Sequence, residues 1–263
     1  AKDLNGEVVS CDSMQIYRRM DIGTAKPSRE EMQGIPHHMI DVAEPDEDFS
    51  VSRYCAMAAP IVDDIVARGK TAIIAGGTGL YMDLSLIHIS AMLARLREID
   101  PDTADRVSDR KRILRALEVY LETGETITEH NRKTRLIPPK YTPLWLGLDF
   151  ADRGELYRRI DKRVDIMLEM GLMEEIRSLL DSGIPEKCTA MQAIGYKEFV
   201  NALEGREPLS QAAEEVKKAS RHYAKRQLTW FRRNPAVHWL VRSGDDDREI
   251  LASARQIIRD SDN

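Results

Sequence analysis

The chain has only three cysteines, and Cys11, Cys55 and Cys188 stand far apart, with no CxxC pair and no metal-binding histidine cluster nearby. That spacing excludes a disulfide framework and a zinc knuckle, and it suits a reducing compartment. No apolar run approaches the roughly eighteen residues that span a bilayer, and no basic and apolar leader opens the chain, so a cytoplasmic protein with no membrane partner is expected. Ser-His-Asp and Cys-His nucleophile arrangements are missing as well: His37-His38 is too isolated for a metal site, and the other histidines are scattered. The most uneven absence is that of negative charge. The 263 residues hold 39 Lys plus Arg against 44 Asp plus Glu, a net charge of −5, which taken whole argues against a protein that coats nucleic acid. Yet residues 217–233 hold seven cations (Lys217, Lys218, Arg221, Lys225, Arg226, Arg232, Arg233) and no acid, leaving 32 cations against 44 acids, or −12, on the rest.

What is present is ordinary for a soluble globular chain: 42% hydrophobic and 32% charged residues, enough for one large α/β domain or two modest ones. The chain opens on Ala1-Lys2-Asp3-Leu4, the tail of a helix whose start is elsewhere, so an incomplete N-terminus is expected. Glu7 to Asp12 reads as a buried strand that delivers a carboxylate to its end, and Arg53 to Arg68 as a helix stopped by Gly69. Thr71 to Ala75 is a second strand, broken by Gly76-Gly77-Thr78-Gly79. Strand, helix, strand, glycine turn and helix is the grammar of a parallel α/β sheet, in which ligands gather at the carboxyl ends of strands. Ala91 to Glu122 reads as helical, Pro138-Pro139 marks a boundary, and Leu144 to Leu148 returns to strand. One long helix is predicted over Arg153 to Leu180 and another over Ser210 to Phe231. A helical block is therefore inserted between strands of one sheet.

Several residues carry chemistry in two readings. Asp12 is either the cap of the next segment or a carboxylate poised as general base or metal ligand. The Gly76-to-Gly79 turn is either a plain tight turn or a cradle that aims N–H groups and the Thr78 hydroxyl at phosphate. Lys26, in a loop bounded by Gly23 and Pro27, is either solvated or an anion ligand. Arg159 and Arg163 share a helix face, as surface partners of Glu155 or Asp161 or as a diphosphate clamp. Lys111, Arg112 and Arg115 crowd a helix head, where they oppose its dipole and would favour an anionic partner. The cations of 217–233 are interleaved with His222, Tyr223, Trp230 and Phe231, a pattern that holds phosphates and stacks bases, so a nucleic-acid partner is expected in preference to a solvated face.

Six stretches in order, Asp12 to Tyr17, Asp21 to Pro27, Gly76 to Tyr81, Arg112 to Tyr120, Ala193 to Glu198 and Lys225 to Phe231, closely resemble the bacterial type of the tRNA dimethylallyltransferase (tRNA isopentenyltransferase) family. The resemblance covers nearly the whole chain. It implies a P-loop NTPase-like α/β parallel-sheet core over 1–87 and 142–263 with an inserted all-helical domain over 88–141. It also implies transfer of a dimethylallyl group from dimethylallyl diphosphate to N6 of the adenosine next to the anticodon of tRNA, assisted by Mg²⁺, by a monomer. Residue by residue, Asp12 resembles the general base, Thr78 lies where the family meets its substrates, and Arg163 matches a diphosphate-holding arginine, with Arg159 and Lys26 beside it as candidates. Asp12, Ser13, Met14 and Gln15, then Lys111, Arg112, Ile113, Leu114 and Arg115, and then Gln192, Ala193, Ile194, Gly195, Tyr196 and Lys197 match stretches that contact tRNA. Lys217, Arg221, Lys225 and Arg226 are expected to add to that contact. The family's GxTxxGK[ST] phosphate loop, where the Mg²⁺ ligands belong, is expected before Ala1, and a discontinuity is expected near Ser90-Ala91. Three alternatives stand beside this: a prenyltransferase for free adenine nucleotides, a P-loop nucleotide kinase with Arg159 and Arg163 as lid arginines, and a non-catalytic RNA-binding protein.

Overall fold

The computed structural model describes residues 1–49, 51–77, 96, 99–101, 103, 116, 120, 124, 126–129, 143–242, 244 and 247–261. The chain divides into two compact units, residues 1–81 with 144–263, and residues 82–143.

In the first unit, the short run Gly6–Ser10 forms β1, followed by the single-turn helix α1 (Arg29–Met32), β2 (His37–His38), α2 (Val51–Ala67) and β3 (Thr71–Ala75). After the second unit come β4 (Trp145–Phe150), α3 (Arg153–Glu169), α4 (Leu172–Asp181), α5 (Lys197–Leu203), α6 (Leu209–Phe231), β5 (Val237–Arg242) and α7 (Arg248–Ser261). All strand pairs are parallel: β2-β1-β3 form one sheet and β4-β5 another. The expected α/β class with parallel strands is therefore what forms, but among the described residues the strands before and after the second unit fall in two sheets and not in the single sheet the sequence predicts. Parallel strands need crossover connections, and α2 supplies the one from β2 to β3. Its Tyr54, Ala58 and Ile65 are buried, and the Tyr54 hydroxyl donates to the Ser10 carbonyl at 2.9 Å, tying the helix to the end of β1. As the sequence predicts, Gly69 ends this helix, at φ 71°, a conformation in which a side chain is disfavoured.

Helices α3 to α6 pack on one another, while α7 lies against β5. Leu172, Ile176 and Leu179 of α4 bury one face, and the core continues through Phe199 and Val200 of α5 and Ala212, Ala213 and Val216 of α6. Each large aliphatic side chain so buried contributes about 1.5–3 kcal/mol. The long helix predicted over 153–180 is in fact two helices. The chain breaks at Met170-Gly171, with Gly171 at φ 98°. Apolar spacing resumes beyond the turn and hides the break, because a single left-handed residue changes the helix direction without interrupting the hydrophobic pattern.

At the N-terminal end of β1, the Glu7 carboxylate is buried against three partners. Oε1 accepts from Arg68 Nη1 at 2.5 Å and Lys70 Nζ at 2.7 Å; Oε2 accepts from Arg68 Nη2 at 2.9 Å and lies 2.8 Å from His38 Nε2. The Arg68 guanidinium, then Lys70 and His38, hold this carboxyl well below the usual carboxylate range. In the second unit, Asp100 accepts from the backbone and hydroxyl of both Thr103 and Thr128, so one carboxylate ties two turns of chain together.

Candidate active site and nucleic-acid interface

The β1–β3 register brings Ser10 opposite Ala75, so both strands end at one edge. There the Cys11 amide donates to the Ala75 carbonyl at 2.7 Å, and a Cβ at Gly76 would fall on the Cys11 carbonyl, which is why only glycine fits. This contact sets the Gly76-Gly77 turn directly beside Asp12. Asp12 Oδ1 accepts from the amides of Met14 at 2.8 Å and Gln15 at 3.3 Å. Among the described residues Oδ2 has no partner. The capping reading of Asp12 is what these two hydrogen bonds show: one oxygen closes the turn and orients the carboxylate.

Gln15 holds that turn in place. Its Oε1 accepts from Ser10 Oγ at 3.0 Å, while Nε2 donates to the carbonyls of Thr24 at 3.3 Å and Ala25 at 3.2 Å. Ser13 and Met14 are half-buried beside it. The loop from Asp21 to Lys26 is therefore joined to the Asp12 turn through one amide.

Lys26 departs from its expected role. Its side chain is 6% exposed, and Nζ donates to the Tyr17 carbonyl at 2.8 Å, Asp21 Oδ1 at 2.6 Å and Asp41 Oδ1 at 2.6 Å. An ammonium has three donors, and all three are used within the protein, so none remains for a diphosphate. The two candidate arginines of α3, Arg159 and Arg163, separate similarly. Arg159 pairs with Glu155 at 3.2 Å, lies over the Phe150 ring at 5.4 Å and reaches the Gly244 carbonyl at 3.4 Å. Arg163 is exposed and has no ion pair or hydrogen bond among the described residues. Thr78 and the stretch Lys111, Arg112, Ile113, Leu114 and Arg115 lie outside the described residues.

The basic stripe of α6 is partly compensated, contrary to its sequence. Lys217 Nζ lies 2.8 Å from Asp165 and 3.2 Å from Glu214, Arg221 pairs with Asp161, and Arg232 reaches Asp149 Oδ2 at 2.6 Å. The carboxylates of Asp161, Asp165 and Asp149 come from α3 and β4, so the cations look unpaired in the sequence. The crossed pairs 161–221 and 165–217 also show that α3 and α6 run antiparallel. What remains open is a smaller set: Lys218, Lys225, Arg226 and Arg233 are exposed without carboxylate partners among the described residues, Arg226 lying over Tyr223 at 5.5 Å. A shallow cleft beside them is lined by Arg153, Tyr157, Lys225, Leu228, Thr229 and Arg232. On another face of α6, Gln227 Nε2 donates to the Gly77 carbonyl, joining this helix to the turn next to Asp12.

The 192–197 stretch is largely turned inward. Gln192 and Lys197 are exposed and Ala193 and Ile194 half-buried, but Gly195 and Tyr196 are buried, so the tRNA contact expected of those two does not fall to Tyr196's side chain. The Tyr196 hydroxyl instead donates to Glu175 Oε1 at 2.6 Å. Burial, reinforced by that carboxylate, pushes the phenol well above its ordinary range. Two contributors escaped the sequence reading. Gln227 sits inside the Lys225-to-Phe231 stretch but has no charge to draw notice, and Glu175 is one of three acids on α4 with nothing local to mark it. No three His, Cys, Asp or Glu side chains gather among the described residues, so these residues do not by themselves build a Mg²⁺ site. No helix among them is long and apolar enough to cross a membrane.

A family model described as IPP transferase matches residues 15–234. The tRNA dimethylallyltransferase of Thermoanaerobacter sp. (strain X514) is 44% identical over 286 aligned positions, covering 98% of this chain and 90% of the relative. That of Caldanaerobacter subterraneus subsp. tengcongensis is 45% identical over the same shares. The alignment exceeds the 263 residues of this chain, so the relatives carry residues without a counterpart here. Among solved structures, a tRNA isopentenylpyrophosphate transferase of Staphylococcus epidermidis superposes with a TM-score of 0.72 at 39% identity, over 98% of this chain and 92% of that one. A eukaryotic dimethylallyltransferase acting on tRNA gives 0.81 at 29% identity, over 98% and 72%.

Proposed function

Since the chain belongs to the IPP transferase family, we propose that it transfers a dimethylallyl group from dimethylallyl diphosphate to N6 of the adenosine 3′-adjacent to the anticodon in tRNA. It is a tRNA dimethylallyltransferase with a P-loop NTPase-like core, acting in the cytoplasm as a monomer, with 88–141 as its inserted helical domain. The observation that carries this reading is Asp12: a carboxylate at the end of β1, oriented through Oδ1 by two amides and open at Oδ2, beside the Gly76-Gly77 turn.

The chemistry needs such a group. An adenine N6 amine is a poor nucleophile because its lone pair is delocalised into the ring. Asp12 Oδ2 accepts the N6 proton as the N6–C1 bond forms, and the C1–O bond breaks to release diphosphate. The allylic carbon bears positive charge in the transition state, and the departing diphosphate takes up negative charge. Cations and N–H donors stabilise that charge, and no protein nucleophile is required. Arg163, whose guanidinium has no partner among the described residues, is the principal diphosphate ligand, with Arg159 beside it and Thr78 assigned to the substrates by resemblance. The base must leave its stack to reach a carboxylate at the end of a strand. Lys218, Lys225, Arg226, Gln192 and Lys197, with 111–115, hold the anticodon loop during that step.

The test incubates the full-length protein with labelled dimethylallyl diphosphate and either tRNA or AMP. Label should enter tRNA alone, and Asp12→Asn should slow transfer by about 10²–10⁴-fold, the usual contribution of a positioned base, with tRNA affinity nearly unchanged. Prenylated AMP with unmodified tRNA, or an Asp12→Asn variant at the wild-type rate, would overturn the assignment.

A further inference from the structure

The Glu175 carboxylate accepts four hydrogen bonds, three of them from a distant part of the chain. Oε2 takes the amides of Asp21 at 2.9 Å and Ile22 at 2.8 Å; Oε1 takes the Gly23 amide at 3.2 Å and the Tyr196 hydroxyl at 2.6 Å. Three successive N–H groups converging on one point form an anion site, and here the anion is a side chain from α4. Tyr196 completes the clamp. Its ring is 0% exposed and occupies the space a Cβ at Gly23 would need, so the loop can close on it only with glycine there.

The far side of that loop is hydrogen-bonded to the Asp12 turn. The Thr24 and Ala25 carbonyls hold Gln15 Nε2 at 3.3 and 3.2 Å, and the Gln15 amide, with that of Met14, holds Asp12 Oδ1. A continuous chain of hydrogen bonds therefore runs from Tyr196 through Glu175, the 21–25 loop and Gln15 to Asp12. Its other end lies in the 192–197 stretch, whose Gln192 and Lys197 are exposed, the Gln192 amide donating to the Glu186 carbonyl at 2.9 Å.

We propose that Glu175 and Tyr196 are positioning residues that couple the 192–197 stretch to the orientation of Asp12, a role that rests on the function proposed above. Neither side chain has a hydrogen bond to Asp12; they act through the loop and Gln15. Seating of the RNA backbone on Gln192 and Lys197 is thereby linked to where Oδ2 points.

The experiment uses Tyr196→Phe, which removes the hydroxyl and keeps the ring on Gly23, and Glu175→Gln, whose amide turns two donors against the donors of the loop. Glu174→Gln, exposed one residue away, controls for loss of charge on α4. Backbone amide exchange is measured together with single-turnover transfer to tRNA and tRNA affinity. Tyr196→Phe should speed exchange at Met14, Gln15 and Asp21 to Gly23 by about tenfold while β1 and β3 amides are unchanged, because local opening reports the weakened clamp. Transfer should slow about tenfold, with tRNA affinity within about twofold, and the variant should cost nothing further in an Asp12→Asn background, as expected for residues acting through one group. Unchanged exchange at Met14 and Gln15, or an equal rate loss in both backgrounds, would overturn the coupling. Exchange is read without catalysis, so a wild-type protein that makes no prenylated tRNA counts against the proposed function alone, and the clamp is still decided by the amides.

Discussion

Replacing Lys26 by methionine separates a lysine that binds substrate from one that binds its own loop. The ammonium bridges the Tyr17 carbonyl, Asp21 and Asp41 at 2.8, 2.6 and 2.6 Å, and its side chain is only 6% exposed. Asp21 and Asp41 are 62% and 49% exposed, so both are resolvated when the cation leaves, and each pair contributes no more than about 0.5–1 kcal/mol. The Tyr17 carbonyl belongs to a buried residue, and losing its charged donor costs about 1–2 kcal/mol. The expected destabilisation is about 2–4 kcal/mol, which for a chain of this size lowers Tm by roughly 5–15 °C. Differential scanning calorimetry at pH 7 measures this directly, alongside KM for dimethylallyl diphosphate. Lys26→Arg should recover only part of the loss, since a planar guanidinium cannot converge on three acceptors arranged around a point charge. An unchanged Tm together with a KM raised tenfold or more would refute the reasoning and return Lys26 to the diphosphate.

The remaining expectations concern charge elsewhere. Neutralising Lys218, Lys225 and Arg226 together should flatten the slope of log K for tRNA against log salt by about 2, from about 0.7 per phosphate contact on single-stranded RNA. Neutralising Lys217 and Arg221 should move that slope less and lower Tm instead, because their charge is already met by Asp165 and Asp161; equal slope changes in the two sets would contradict this. Glu7 is held below its ordinary value near 4.5, so the stability it contributes is complete above that pH and is lost as pH falls toward the folded value. Thermal melts from pH 7 down to pH 3 should therefore show a falling Tm that Glu7→Gln flattens; a Glu7→Gln variant with the wild-type acid profile would remove Glu7 as its source.

Local chemistry accounts for what was legible in the sequence. The strands at 6–10 and 71–75, the glycine stop at 69, the turn at Gly76-Gly77 and the helix ending at Phe231 follow from residue preferences and periodicity acting over a few positions. Asp12 followed as well, because a carboxylate closing a buried strand has few places to go. The six ordered stretches carried the family for the same reason: each is a short, contiguous pattern.

Which charges are available was decided only by packing. Lys26 and Arg163 both read as anion ligands in the sequence, yet one is enclosed by three acceptors and the other stands open. Lys217 and Arg221 look as bare as Lys225 until α3 brings Asp165 and Asp161 against them across more than fifty residues of chain. Glu175 reaches the Asp21–Gly23 amides from more than 150 residues away, and no local pattern distinguishes it from the acid beside it. Residue type and spacing are properties of neighbours along the chain. Whether a cation is free, or a carboxylate has a proton-accepting oxygen to spare, depends on which distant donors and acceptors the fold brings within 3 Å.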